Sequence, residues 1–140
     1  MRTINEIIVH CTATEEGQDF KAADIKRWHT AAPPKGNGWK DIGYHFVIDI
    51  DGTVEVGRPV SVVGAHCKNH NSYTIGVVYV GGLRNGKLAD TRTEAQKKSL
   101  VELLKVLKSC FPTIKKISGH KDYAAKSCPC FDASNEYKDL

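Results

Sequence analysis

The first apolar run, INEIIVH at Ile4–His10, is short, β-branched and flanked by polar residues, and it reads as a buried strand. The period then changes. Ile25, Trp28, His29 and Ala32 fall at i, i+3, i+4 and i+7, which is one face of a helix, and Pro33-Pro34 ends it because proline has no N–H to donate. KGNGWKDIG (35–43) is a loop. Alternation returns in YHFVIDIDGTVEV, where Tyr44, Phe46, Ile48 and Ile50 are expected to share one strand face. Asp51-Gly52 then predicts a tight turn into Thr53–Val56, a hairpin. YTIGVVYV (Tyr73–Val80) is a further strand, stopped by Gly81-Gly82. The clearest helix is TEAQKKSLVELLKVLKSC: Thr93 and Gln96 make a capping box, and Leu100, Leu103, Leu104 and Leu107 form its apolar stripe. IKKIS (Ile114–Ser118) predicts a short strand leading out to His120. Strands and helices alternate irregularly, so the expected fold is α/β: one domain over residues 1–140, with a mixed central sheet flanked by helices.

A chain of 140 residues can bury a core without staples. No apolar run approaches the roughly 18 residues of a membrane span. The start, MRTINEIIVHCTAT, reads as a strand and not as a signal peptide, so synthesis in the cytoplasm is expected. Five cysteines are an odd number, which argues against a complete disulfide framework, although a pairing of Cys67 stays open. The net charge of +4 is uneven: residues 91–126 carry nine Lys/Arg against three acids. That excess suits either an anionic partner or a solvated helix face. Only Phe111 and Tyr123 stand among the lysines, too few for a stacking groove, so a nucleic-acid groove is not expected. A monomer is the expected state.

The chemistry-bearing residues gather near strand ends, where open α/β sheets bind ligands. His10 ends the first predicted strand, His120 follows the last, and Cys128 lies eight residues further on, in HKDYAAKSCPCFD. Two imidazoles and a thiolate suit zinc and leave a fourth tetrahedral position open, as in catalytic sites. Each of these residue types is also common as packing, and Cys130 is a rival ligand two residues from Cys128. A cysteine nucleophile paired with His120 is a further reading, awkward because Pro129 follows Cys128 directly. Neighbours in a strand face opposite ways, so Cys11 and His45 are expected to point away from His10 and Tyr44 respectively. His29 reads as a satisfied core histidine, Cys110 as packing and His70 as exposed.

HCTAT after a strand, GYHFVIDIDGTVEVGRP, VGAHCKNHNSYTIGVVYVGG, GHKDY and KSCPCFD, taken together and in order, resemble the type-2 amidase family. This family includes amidase-type phage lysozymes and the peptidoglycan recognition proteins. The likeness runs from about Ile7 to Asp132 and is greatest to the lysozymes of T-odd phages. The resemblance implies a zinc-dependent N-acetylmuramoyl-L-alanine amidase acting on peptidoglycan, with one zinc per chain. It makes His10, His120 and Cys128 the zinc ligands, and Tyr44 and Lys126 the catalytic pair. His66 matches a family position near the site and is expected to touch substrate. Trp39 is a second candidate contact, able to stack on a sugar or to pin its own loop. Some members carry a glutamate base in the strand here read as TIGVVYV, or an aspartate as third ligand; this chain has neither, which points to the phage-type branch. The implied setting is cell-wall lysis by a phage or prophage enzyme after its release. The alternative is a binding module that keeps the groove but not the catalysis.

Overall fold

The computed structural model describes residues 1–140. In chain order the elements are β1 (Glu6–Cys11), β2 (Thr14–Glu15), α1 (Ala22–Thr30), β3 (Phe46–Ile48), β4 (Val54–Val56), β5 (Thr74–Tyr79), β6 (Gly82–Arg84), β7 (Lys87–Leu88), α2 (Glu94–Cys110), β8 (Lys116–Gly119) and α3 (Ala133–Glu136). The central sheet has the order β4-β3-β5-β1-β8. β5 and β8 run parallel to β1, β3 runs parallel to β5, and β4 returns antiparallel on the edge. The sheet is mixed, as the irregular alternation of elements predicts.

β1 and β5 are buried along their whole length, which explains their unbroken apolar runs: each has helices or loops on both faces. One face carries Ile7, Val9, Ile75, Val77, Tyr79 and Ile48 against Leu100, Leu104 and Leu107 of α2. The capping box forms: Gln96 N–H donates to Thr93 Oγ1 at 3.0 Å and Thr93 N–H to Gln96 Oε1 at 2.9 Å. The opposite face has a smaller apolar cluster of Val47, Val78 and Val80 under Ile25 and Ile42. That smaller cluster leaves room beside it for polar side chains. No helix is long and apolar enough to cross a membrane.

Several expectations need correction. Tyr44, Phe46, Ile48 and Ile50 do not share a face: Phe46 and Ile48 pack with the α2 cluster, Tyr44 and Ile50 with the other. The strand covers only Phe46–Ile48, so alternation does not extend to its flanks. Asp49 N–H donates to Thr53 C=O at 2.8 Å, which places Ile50 inside a three-residue turn closed by Gly52 at φ 89°. The helix from Ala22 stops at Thr30, two residues short of Ala32. Cys110 faces solvent instead of packing. His70 is half-buried, with Nδ1 bonded to the Tyr73 hydroxyl and its ring stacked on Tyr123 at 4.0 Å. All five cysteines are free thiols, Cys67 included. A second sheet, β2-β6-β7, and the short α3 are additions that the apolar pattern did not reveal.

Candidate metal centre and its cleft

His10 and His120 are 110 positions apart in the sequence, and the sheet brings them together. β1 and β8 pair in parallel with Val9 opposite Gly119, so the next residue of each chain segment is a histidine. Their ring centroids lie 4.7 Å apart. Cys128 arrives on the loop after β8. Lys121 N–H donates to Cys128 C=O at 2.7 Å, and the buried Tyr79 hydroxyl donates to Pro129 C=O at 2.7 Å. Gly119 allows the approach, since a Cβ there would sit 2.7 Å from Pro129 Cδ. The donor atoms of His10, His120 and Cys128 all fall within 4.8 Å of one another. His10 Nδ1 and Cys128 Sγ are 3.9 Å apart.

These distances compare with edges of roughly 3.3–3.6 Å in a tetrahedron built on zinc–nitrogen and zinc–sulfur bonds. Two imidazoles and a thiolate are a borderline-soft set that suits zinc. Burial first, and then the neighbouring His66, His120 and Lys126, hold His10 well below its ordinary pKa. Burial followed by Lys126 does the same for His120. Cys128 is lowered by hydrogen bonding from the Cys11 thiol, then by the Cys11 backbone N–H at 3.2 Å and by Lys126. Each group is therefore biased toward its metal-binding form, a neutral imidazole or a thiolate. The residues present fit the ion that the sequence implies.

Cys130 is not part of the cluster. Its Sγ lies 3.9 Å from Cys11 Sγ and 3.7 Å from Gly82 C=O, on the far side of the loop. Cys11 packs in the core as expected, while its backbone N–H serves Cys128. The site lies on a face of the sheet, near but not beyond the strand ends: the His10 ring contacts Tyr44 at 5.1 Å and His66 at 5.0 Å between centroids.

Tyr44 enters from the segment before β3. Burial pushes its phenol up, so it stays protonated. His29 stands between it and Trp39, with centroids 5.5 and 5.0 Å away, and accepts Gly43 N–H on Nδ1 at 2.9 Å; it packs against these rings but is half-buried and not the core histidine expected. Trp39 is 37% exposed at the rim. His66 is only 8% exposed and both of its nitrogens have protein partners: Nδ1 is 2.9 Å from His10 Nε2, and Nε2 is 3.2 Å from Thr74 Oγ1. The structure thus gives it a role toward His10 that the sequence did not suggest. His45 is not turned away from the site. It is buried 5.9 Å from the His66 ring, because no regular strand joins it to Tyr44.

Lys126 is exposed where two clefts meet. One, of about 690 Å³, is mostly apolar and includes Ala13, Leu88 and Cys128. The other, of about 450 Å³, includes Trp39, Lys68, Asn71, His120 and Tyr123. Lys126 and Ala124 line both, while Cys128 borders the first and His120 the second.

Fold and donors together define a mixed α/β protein with a cluster of two histidines and one cysteine able to hold a metal ion. Residues 1–131 match the family model described as N-acetylmuramoyl-L-alanine amidase. The endolysin of Enterobacteria phage T3 is 43% identical over 131 residues, 93% of this chain and 83% of that protein. The N-acetylmuramoyl-L-alanine amidase LysC from Clostridium intestinale superposes with a TM-score of 0.80 at 29% identity, covering 97% of this chain and 83% of that one. The ectodomain complex of peptidoglycan recognition proteins LCa and LCx with bound tracheal cytotoxin gives a TM-score of 0.77 at 25% identity, covering 100% of this chain and 84% of that one. The chain belongs to the N-acetylmuramoyl-L-alanine amidase family.

Proposed function

We propose that this protein is a zinc-dependent N-acetylmuramoyl-L-alanine amidase that cuts the amide between the lactyl group of N-acetylmuramic acid and L-alanine in peptidoglycan. The observation that carries the zinc reading is the convergence of His10, His120 and Cys128 to within 4.8 Å. Bound there, zinc supplies Lewis acidity that activates water and polarises the scissile carbonyl. The remaining work falls to side chains. Hydrolysis places the hydroxyl of water on the acyl carbon and its proton on the departing alanine nitrogen. The run TIGVVYV of β5 has no carboxylate to carry that proton, so Tyr44 and Lys126 are the protic groups at hand. Tyr44, held protonated by burial, orients the water through its hydroxyl. Lys126 is a cation at the junction of the two clefts and stabilises the carbonyl oxygen as it gains negative charge. Trp39, on the rim, offers an aromatic face to a sugar ring. A complete donor set beside Tyr44 and Lys126 favours catalysis over the binding-module reading. Kinship with phage endolysins supports a setting of cell-wall lysis.

The test is mass spectrometry of a muropeptide digest. The expected products are a free lactyl carboxylate and a stem peptide with a free alanine amine. Chelation should abolish cleavage, zinc should restore it, and Lys126→Ala should lower kcat about 100-fold. Cleavage at a glycosidic bond, or amide cleavage at full rate in the chelated protein, contradicts the proposal.

A further inference from the structure

We propose that His66 is a positioning residue for His10: it accepts the His10 Nε2–H and so keeps the lone pair of His10 Nδ1 turned toward Cys128. The proposal deepens the zinc reading, which supplies the identity of the ion.

A histidine ligand gives one ring nitrogen to the metal and must carry its proton on the other. Two neutral imidazoles in contact form one hydrogen bond, and either ring can be the donor. Here the direction follows from the groups behind them. The Thr74 hydroxyl lies 2.7 Å from the His70 carbonyl. A carbonyl oxygen only accepts, so the Thr74 proton goes there. Thr74 Oγ1 then has only lone pairs for His66 Nε2, 3.2 Å away, and His66 must carry its proton on Nε2. A neutral His66 is left with a bare Nδ1. That atom is 2.9 Å from His10 Nε2 and takes its proton as acceptor. His10 Nδ1 is left unprotonated, 3.9 Å from Cys128 Sγ. One main-chain carbonyl thus fixes, through two side chains, which nitrogen of His10 faces the metal.

The surroundings hold this chain in place. His66 is only 8% exposed, so a positive charge on its ring would lose its hydration and the neutral ring is favoured. Asn71 Oδ1 accepts the backbone N–H groups of His66 and Cys67, both at 2.9 Å, and anchors the loop. The ring lies directly over Gly76 of β5: a Cβ there would come within 2.6 Å of His66 Cγ and Cδ2. Thr74 and Gly76 are two apart on the strand and face the same way, one holding the ring and the other making space for it.

Two measurements test this: zinc affinity by competition with a chelating dye, and the ring 15N shifts of His10 in the metal-free protein at pH 7. The wild type is expected to hold His10 as the Nε2–H tautomer. His66→Phe keeps an aromatic ring over Gly76 but offers no acceptor, and should weaken zinc binding about 10- to 100-fold. His66→Asn, whose amide oxygen replaces Nδ1 as acceptor, should recover most of that loss. Thr74→Val leaves the His66 ring in place and should yield a mixture of His10 tautomers, which keeps the test open if His66→Phe fails to fold. A wild-type His10 protonated on Nδ1, full zinc affinity in His66→Phe, equal losses in the Phe and Asn variants, or an unchanged tautomer in Thr74→Val each overturn the proposal. A protein that binds zinc in this way yet cleaves no amide removes the enzymatic reading and leaves His66 where it is. Amide cleavage together with undiminished zinc affinity in His66→Phe does the reverse.

Discussion

His10 and His45 are both buried imidazoles, and their partners separate their roles. His10 keeps one nitrogen free for a metal, whereas His45 has both engaged: Nδ1 accepts Gly76 N–H at 3.0 Å and Nε2–H donates to Val62 C=O at 2.9 Å. Burial lowers the His45 pKa from 6.5 to about 4. The sign is fixed by the unfolded chain, which takes up this proton first as pH falls. His45 therefore contributes stability that is full above about pH 6.5 and is lost between there and about pH 4. Asp49, pushed up to about 7 by burial and by Glu55, acts with the opposite sign, so a variant is needed to isolate the imidazole. Urea unfolding of chelated wild type and His45→Gln at pH 7 and pH 4.5 should show the wild type losing about 2 kcal/mol more than the variant. Parallel profiles would contradict this. At this scale the sequence was informative where chemistry is local. His10, His120, Cys128, Tyr44 and Lys126 stand in recognisable blocks, and the structure gathers them. It did not reveal the hydrogen-bond partners of His66 and His45, because a histidine's role depends on which atoms meet its two nitrogens, and those come from 56 and 31 residues away.

Among the elements, the long strands and α2 were legible because burial on both faces leaves continuous apolar runs and a one-sided helix leaves a stripe. β2, β6 and β7 have two or three residues and no apolar run of their own, so they were missed, whereas the equally short β3 and β4 were legible from the alternation around Asp51-Gly52. Asn85-Gly86, with φ of 53° and 74°, was the available signal for the β6–β7 turn. Gln96 was read only as half of a capping box. Its Nε2 also donates to Val80 C=O at 3.0 Å and Ile48 C=O at 3.3 Å, tying α2 to the ends of β5 and β3 from a fully buried position. Gln96→Leu keeps the volume, removes those bonds and opens the cap. It should lower the unfolding free energy by about 2–3 kcal/mol in chemical denaturation. Thr93→Ala, which removes the cap and also the bond from the Thr93 hydroxyl to Ile50 C=O at 2.7 Å, should still cost less, about 1 kcal/mol. A loss in Gln96→Leu no larger than in Thr93→Ala would contradict a contribution from the buried amide.

For the molecule as a whole, the decisive feature is the order of the strands. A mixed sheet was legible; the adjacency of the first strand and the last was not, since pairing partners leave no mark on an apolar run. That adjacency, with Val9 opposite Gly119, sets two histidines side by side, and the contact of Gly119 with Pro129 delivers the thiol to them. Tyr79 reaches from β5 to the same loop, so the third donor is held by the sheet as well. The most direct test is elemental analysis of the purified chain beside Cys128→Ala and Cys130→Ala. The expected result is one zinc per chain in the wild type, retained in Cys130→Ala and lost in Cys128→Ala. Zinc that stays with Cys128→Ala, or a folded wild type that takes up none, would contradict a centre built on His10, His120 and Cys128.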